Sequence, residues 1–290
     1  MDSQELIERE TRTGRFAGIL GIGGGLLLLG AAFSGLGGDF FAVDGDEYAL
    51  QLEVFERVRD DMLLRALLIA AGVLLFMAPL VFLFRAAAAR SEAMKRNLIG
   101  LAIAGPIFLA ASQIMLVLGF DSVATPFLEN AAGGADPNET AKNLLSEEPL
   151  LSLSLGTQLA GLVSTGIAML YGALWAMRVG LLTRFIGTMG MALAVAYLFL
   201  AEVSYAVWAL TVSPLIAGWW MFGDRPPAWA AGAAVPWPTP GQAPAERPEE
   251  LADPSEFADS DGDGLPDGPA GEDGGSSEGA TPAKRKKRKR

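Results

Sequence analysis

The sequence predicts an all-α fold, a polytopic membrane bundle of six transmembrane helices with a disordered C-terminal tail. Three observations carry that prediction. Six apolar stretches lie between residues 15 and 222, each long enough to cross a hydrocarbon core of about 30 Å. Charge is kept out of them: the 290-residue chain is 51% hydrophobic, with a mean hydropathy of +0.34, and its 19% charged residues collect in the connections. The basic residues fall on alternate connections, the pattern the positive-inside bias gives an up-and-down bundle.

The first span covers about residues 16–36 and holds the run Gly21-Ile-Gly-Gly-Gly25, whose Gly-x-x-x-Gly spacing suits close helix contact. A phosphate loop is excluded, because the run lacks a Lys-Ser/Thr ending and lies inside an apolar span. Ala32-Phe-Ser34 loosely resembles a signal-peptide cleavage site. The leader, however, sets Asp2, Glu5, Glu8 and Glu10 against three arginines, so an uncleaved anchor is expected.

Between the first and second spans, residues 47–63 show helical periodicity. Leu50, Val54, Val58 and Met62 recur every four residues, and Glu53 is placed to pair with Arg57. The second span covers 64–83 and the third 98–118. A long connection, residues 121–155, carries a turn at Gly133-Gly-Ala-Asp-Pro137 and a short helix expected after it. Its Asn138-Glu-Thr140 matches a glycosylation acceptor, read here as a chance match. The fourth span is 156–177. From Phe185 to Phe222 the chain is apolar for too long to be one span, and Glu202 to Ser204 divides it into 185–202 and 204–222.

Orientation follows from counting Lys and Arg near the span ends. Arg9, Arg12, Arg15, Arg85, Arg90, Lys95, Arg96, Arg178, Arg184 and Arg225 share one side of a six-span chain, and the opposite loops are acidic. Both termini are therefore expected in the cytoplasm, in a multi-pass protein of the cytoplasmic membrane.

Residues 1–231 thus form the six-span domain, and residues 232–290 a disordered cytoplasmic tail, acidic and then polybasic. In the tail, Asp259, Asp261, Asp263 and Asp267 have the spacing of a calcium loop. The twelfth position is Ala270 rather than Glu and no helix flanks the segment, so a solvated linker is expected. The seven basic residues from Lys284 to Arg290 stand against a net charge of −11. They suit anionic lipid headgroups, or a solubilising end folded back on the acidic linker; no folded nucleic-acid reader accompanies them.

The chain has no histidine and no cysteine, which removes imidazole bases, thiolate nucleophiles and the usual zinc, haem and iron–sulfur ligands. No catalytic, cofactor-binding or metal-ligating residue is predicted. Polar groups inside the spans are Ser112, Gln113, Gln158, Ser164, Thr165 and Thr188, of which Gln113 with Ser164 or Thr165 is expected to link two helices. Glu202 is expected at the outer interface. If the fifth and sixth spans were divided elsewhere, it would become a carboxylate at membrane depth.

The stretch Trp175-Ala-Met-Arg-Val-Gly-Leu-Leu-Thr-Arg-Phe-Ile-Gly187, with Arg225-Pro-Pro-Ala-Trp229 and Val235-Pro-Trp-Pro238, resembles an uncharacterised multi-span membrane family of high-GC Gram-positive bacteria. The resemblance covers most of the membrane region, fades in the tail, and implies a plasma-membrane protein without supplying catalytic residues. The expected function is a non-enzymatic membrane component that binds a protein or lipid partner. The alternative is a transporter or channel for a small solute, suggested by the similar openings Arg15-Phe-Ala-Gly18, Arg96-Asn-Leu-Ile-Gly100 and Arg184-Phe-Ile-Gly187 and by Pro79, Pro106 and Pro214 within spans.

Overall fold

A computed structural model describes residues 3–130, 136–200, 202–220 and 225–237. The Asp259–Asp267 segment, the Lys284–Arg290 run and the expected disorder beyond residue 237 lie outside the described residues. Within them the chain is helical, without a strand. The helices are α1 Ser3–Phe33, α2 Gly38–Phe41, α3 Tyr48–Arg57, α4 Arg59–Arg90, α5 Ile99–Asn130, α6 Pro137–Glu147, α7 Pro149–Arg178, α8 Arg184–Leu200, α9 Glu202–Ala217 and α10 Ala228–Ala231. Four apolar helices are long enough to cross a membrane: Gln4–Phe33, Arg59–Arg90, Arg96–Glu129 and Pro149–Arg178. Apolar α8 and α9, at 17 and 16 residues, fall short of that length.

These helices outrun the apolar stretches that announce them. A lipid-facing span ends where charge begins, but a helix continues until its last turn is capped. Here Asp136 and Glu148 accept the N–H groups of Asn138 and Leu150, with Pro137 and Pro149 at the first helical positions. Most of the expected loop 121–155 is therefore the end of α5, all of α6 and the start of α7.

Small residues set the helix order. Gly18 lies against Ser213 and Ala217, and Gly25 against Leu210 and Ala206, so α9 runs antiparallel to α1. Gly24 meets Gly72, and Gly21 meets Pro79, which places α4 antiparallel on the next face of α1. The expected packing role of the glycine run is what the structure shows. Gly119 against Leu151 and Gly161 against Leu109 join α5 to α7, while Gly187 against Met177 joins α7 to α8. Tyr197 stacks on Tyr205, 4.1 Å between ring centres, and turns α8 back into α9. Six long helices thus alternate in direction, with α4 touching α1, α5, α7 and α9. Gly100, in the second of the similar Arg-to-Gly openings, faces open space, so that opening has no packing counterpart of Gly18 or Gly187.

The side chains turned outward are apolar. Phe16, Ile19 and Leu26 on α1, Leu67 on α4, Ile107 on α5 and Val163 on α7 are all exposed. Such rows are a liability in water and the ordinary surface of a helix in lipid.

At the acidic end, α2, α3 and α6 form a cap on the protruding ends of α4 and α5. Phe40, Phe55 and Phe120 meet there, with Phe40 and Phe120 edge to face at 5.0 Å and Phe55 stacked on Phe120 at 5.4 Å. The expected single helix over 47–63 is instead two, broken at Val58, where φ −109° and ψ 18° are non-helical. Leu52, Val54 and Phe55 are buried while Leu50 is exposed. The expected Glu53–Arg57 pair does not form; the ion pairs beside the break are those of Arg59, with Asp121 on α5 and with Glu56. Asn138, the expected chance glycosylation match, is committed to the fold. Its amide donates to the Asp46 carbonyl at 2.8 Å and accepts from the Ala49 N–H at 3.2 Å, holding the first turn of α3.

Two substitutions test this construction of the bundle. A Cβ at Gly24 would stand 2.7 Å from the Gly72 carbonyl oxygen. Gly24→Leu is therefore expected to lower stability by about 1–3 kcal/mol or more, read as thermal unfolding of the detergent-solubilised chain. Asn138→Ala should cost about 1–2 kcal/mol and raise hydrogen exchange in α3 while leaving the α1–α4 seam protected.

Candidate functional site at the basic end of the bundle

The ends of α1, α4 and α7 that carry arginine, and the C-terminal end of α9, meet residues 225–237, which return across the bundle as a strap. At the centre is Arg90, the last residue of α4, with a fully buried side chain. Its guanidinium makes a bidentate pair with Glu10 of α1 at 2.6 and 2.7 Å. Its Nε and Nη2 also donate to the Ala228 carbonyl at 3.3 and 3.1 Å, and Nη1 to the Ala86 carbonyl at 3.0 Å. All five N–H donors of the planar fork are thereby used, the condition under which a buried guanidinium is tolerated.

The strap is fastened to the α7–α8 turn. Gly180, at φ 81°, ends α7: its N–H reaches the Met177 carbonyl, and the Leu181 N–H reaches that of Ala176. A side chain at Gly180 would also strike the Val235 carbonyl oxygen. The turn leaves the Leu181 and Leu182 carbonyls pointing outward. The indole N–H of Trp229 donates to the first at 2.9 Å and that of Trp237 to the second at 2.8 Å, while the Val235 N–H binds the Val179 carbonyl. Trp229 lies parallel to Phe82 at 6.0 Å and under Arg225, whose guanidinium carbon is 4.5 Å from the ring centre. Burial pulls the Arg225 pKa below its ordinary value; Glu10 opposes that shift and Arg90 adds to it. The expected boundary at residue 231 therefore moves outward: residues 232–237 are fastened to the bundle by the Trp237 indole and the Val235 N–H.

Beside this lock, a cleft of about 720 Å³ opens between α1, α4 and the start of α5. Arg9, Arg85 and Arg96 line its basic end, and Ala17, Ala78, Val81 and Ile103 its apolar end. Glu10 also borders it but is held by Arg90. Among the described residues, Arg9, Arg85 and Arg96 form no ion pair.

The polar residues expected inside the spans are mostly used locally. Ser112 donates to the Leu109 carbonyl at 2.8 Å and Thr188 to that of Arg184. The expected link from Gln113 to Ser164 or Thr165 is absent. The α5–α7 bond runs instead from the Ser154 hydroxyl to the Ser112 carbonyl at 3.2 Å, because the antiparallel register sets Thr165 against Gly105 and leaves Gln113 about two turns away along α5. Thr165 faces the Tyr205 hydroxyl without completing a hydrogen bond. Glu202 opens α9 at the acidic end and pairs with Arg65 of α4 at 4.0 Å; Arg65 also lies over the Phe41 ring at 4.9 Å.

No protein-family model, curated protein or solved structure matches this chain. What the geometry adds to the sequence reading is the set Glu10, Arg90, Trp229 and Trp237. The two tryptophans had a signal in the Arg225-Pro-Pro-Ala-Trp229 and Val235-Pro-Trp-Pro238 motifs; the pairing of Glu10 with Arg90, 80 residues apart, had none.

Removing one partner of the lock separates structure from charge. Arg90→Met strands the Glu10 carboxylate and is expected to cost about 3–5 kcal/mol, whereas Glu10→Met combined with Arg90→Met should recover much of that loss. The check is a double-mutant cycle on unfolding in detergent. A single substitution that shifted stability by less than about 1 kcal/mol would remove the lock from the account.

Proposed function

We propose that the chain is a six-span integral protein of the cytoplasmic membrane, with both described ends of the bundle chain on the cytoplasmic side, acting as a non-enzymatic component that binds a lipid or protein partner. The observation that carries the binding role is the unequal treatment of arginines at one end. Arg90 is buried and fully bonded, while Arg9, Arg85 and Arg96 stand without an ion pair around an open cleft. Cations left unpaired beside an apolar wall are suited to an anionic partner. The polybasic run Lys284–Arg290 is part of the same proposal, as a second contact for anionic headgroups.

Four long apolar helices support the membrane reading directly. For α8 and α9, the support is their antiparallel packing alongside full-length helices. At 1.5 Å per residue they are about 24–26 Å long, a mismatch that a bilayer absorbs by thinning or through flanking residues. Five of the six tryptophans, Trp175, Trp219, Trp220, Trp229 and Trp237, collect at the basic end, as an interfacial belt does. Membership of the high-GC Gram-positive family belongs to this proposal, and its three motifs are the residues of the strap and its dock. A solute path beside Gln113 and Ser164 gains no support, since α5 and α7 meet there through Gly105 and Gly161.

Reporter fusions test the topology. A reporter joined after Leu200 should read outside, and reporters joined after Trp220 and after Trp237 should read inside. If all three read inside, α8 and α9 form a hairpin on the cytoplasmic face and the protein has four spans.

A further inference from the structure

We infer that the cleft between α1, α4 and α5 is a binding site for one anionic phospholipid, its headgroup held by Arg9, Arg85 and Arg96 and an acyl chain laid along α4. This deepens the proposed function and rests on its membrane reading. The cleft has a cause in the packing: α1 and α5 each lie against α4 but make no extensive contact with each other, so a strip of α4 remains as the floor of a groove.

The chemistry of that groove is graded in the same direction on all three helices. On α1 the lining passes from Arg9 to Ala17, on α4 from Arg85 to Met77, and from Arg96, in the turn that leads into α5, to Ile103 on α5. Each step covers seven or eight residues, about 10–12 Å along a helix. A ligand that satisfies all three must be anionic at one end and apolar for at least that distance. A soluble anion meets only the basic end, and an acidic peptide has nothing to offer the apolar end. An anionic phospholipid meets both, and it is already oriented, because the arginine end is the end the positive-inside bias assigns to the cytoplasmic leaflet. The carboxylate in reach does not compete, since both Glu10 oxygens are taken by Arg90. A volume of about 720 Å³ falls in the range of sites that hold small molecules.

The test is native mass spectrometry of the full chain in detergent, titrated with phosphatidylglycerol and, separately, with phosphatidylcholine. One retained phosphatidylglycerol is expected, with phosphatidylcholine displaced by it. Arg9→Gln, Arg85→Gln and Arg96→Gln together should weaken retention about a hundredfold, from about fivefold per arginine. Ala89→Trp, an exposed position at the basic end of the cleft, should also weaken it while leaving all three charges; a melting curve like that of the parent shows that each variant is folded. Replacing Lys284–Arg290 with glutamine should leave the single tight copy in place. Equal retention of the two lipids, insensitivity to both cleft variants, or loss only in the tail variant overturns the proposal. So does displacement of the lipid by glycerophosphoglycerol or polyglutamate at similar concentration, which would assign the cleft to a soluble anion or to a protein. If the fusions above report membrane insertion and no lipid is retained, this site fails and the topology stands; if they report no insertion, the reading beneath it fails first.

Discussion

A guanidinium with no exposed surface has few places where it is stable, and Arg90 sits in one of them. It needs a carboxylate within reach, carbonyls for the donors the carboxylate leaves over, and walls that exclude water. Glu10 supplies the first from α1, Ala86 and Ala228 supply the second from α4 and the strap, and Trp229 with its neighbours supplies the third. Three segments far apart in the chain are brought to one point by that requirement. The start of α1, the end of α4 and the return of the strap are set together, and the cleft beside them is shaped by what they leave open.

The strap answers a second requirement of the same kind. A helix that ends in a left-handed glycine presents carbonyls beyond its last bond, and at the edge of a membrane these need donors. Trp229 and Trp237 provide indole N–H groups and, being large and apolar otherwise, remain at home at an interface. Pro226 and Pro227 start the short helix α10 that carries Trp229, and their carbonyls accept the N–H groups of Trp229, Ala230 and Ala231. The most distinctive residues of the sequence thus have a structural reason, and their three separate motifs prove to be one contact.

Away from this end, the bundle is built with small residues. Water offers no driving force between helices in lipid, so close approach through Gly18, Gly24, Gly72, Gly105 and Gly161 does the work of association. The cap is built on a different principle. Its aromatic cluster of Phe40, Phe55 and Phe120 is a small water-soluble core, and the ion pair of Arg59 with Asp121 and the amide of Asn138 close its edges. One chain therefore carries two packing regimes, divided at the level where Glu202 meets Arg65.

Composition and periodicity were enough to determine the helical class, the positions of the long apolar helices, the break beside Glu202, the helix after Pro137 and the packing use of Gly21 and Gly25. These are local or nearly local consequences of hydrophobic length, turn chemistry and side-chain size. They did not determine which polar groups would meet. The Gln113 link, the Glu53–Arg57 pair and the boundary at residue 231 were reasonable from spacing and came out otherwise: contacts distant in the chain, such as Ser154 with Ser112, Arg59 with Asp121 and Trp237 with Leu182, leave no trace in a local pattern. Arg9, Arg85, Arg90 and Arg96 read alike in the sequence as basic residues near span ends. Only the tertiary structure, by giving Glu10 to Arg90 and leaving the other three around an open groove, made one a structural lock and set the rest at the lipid site proposed above.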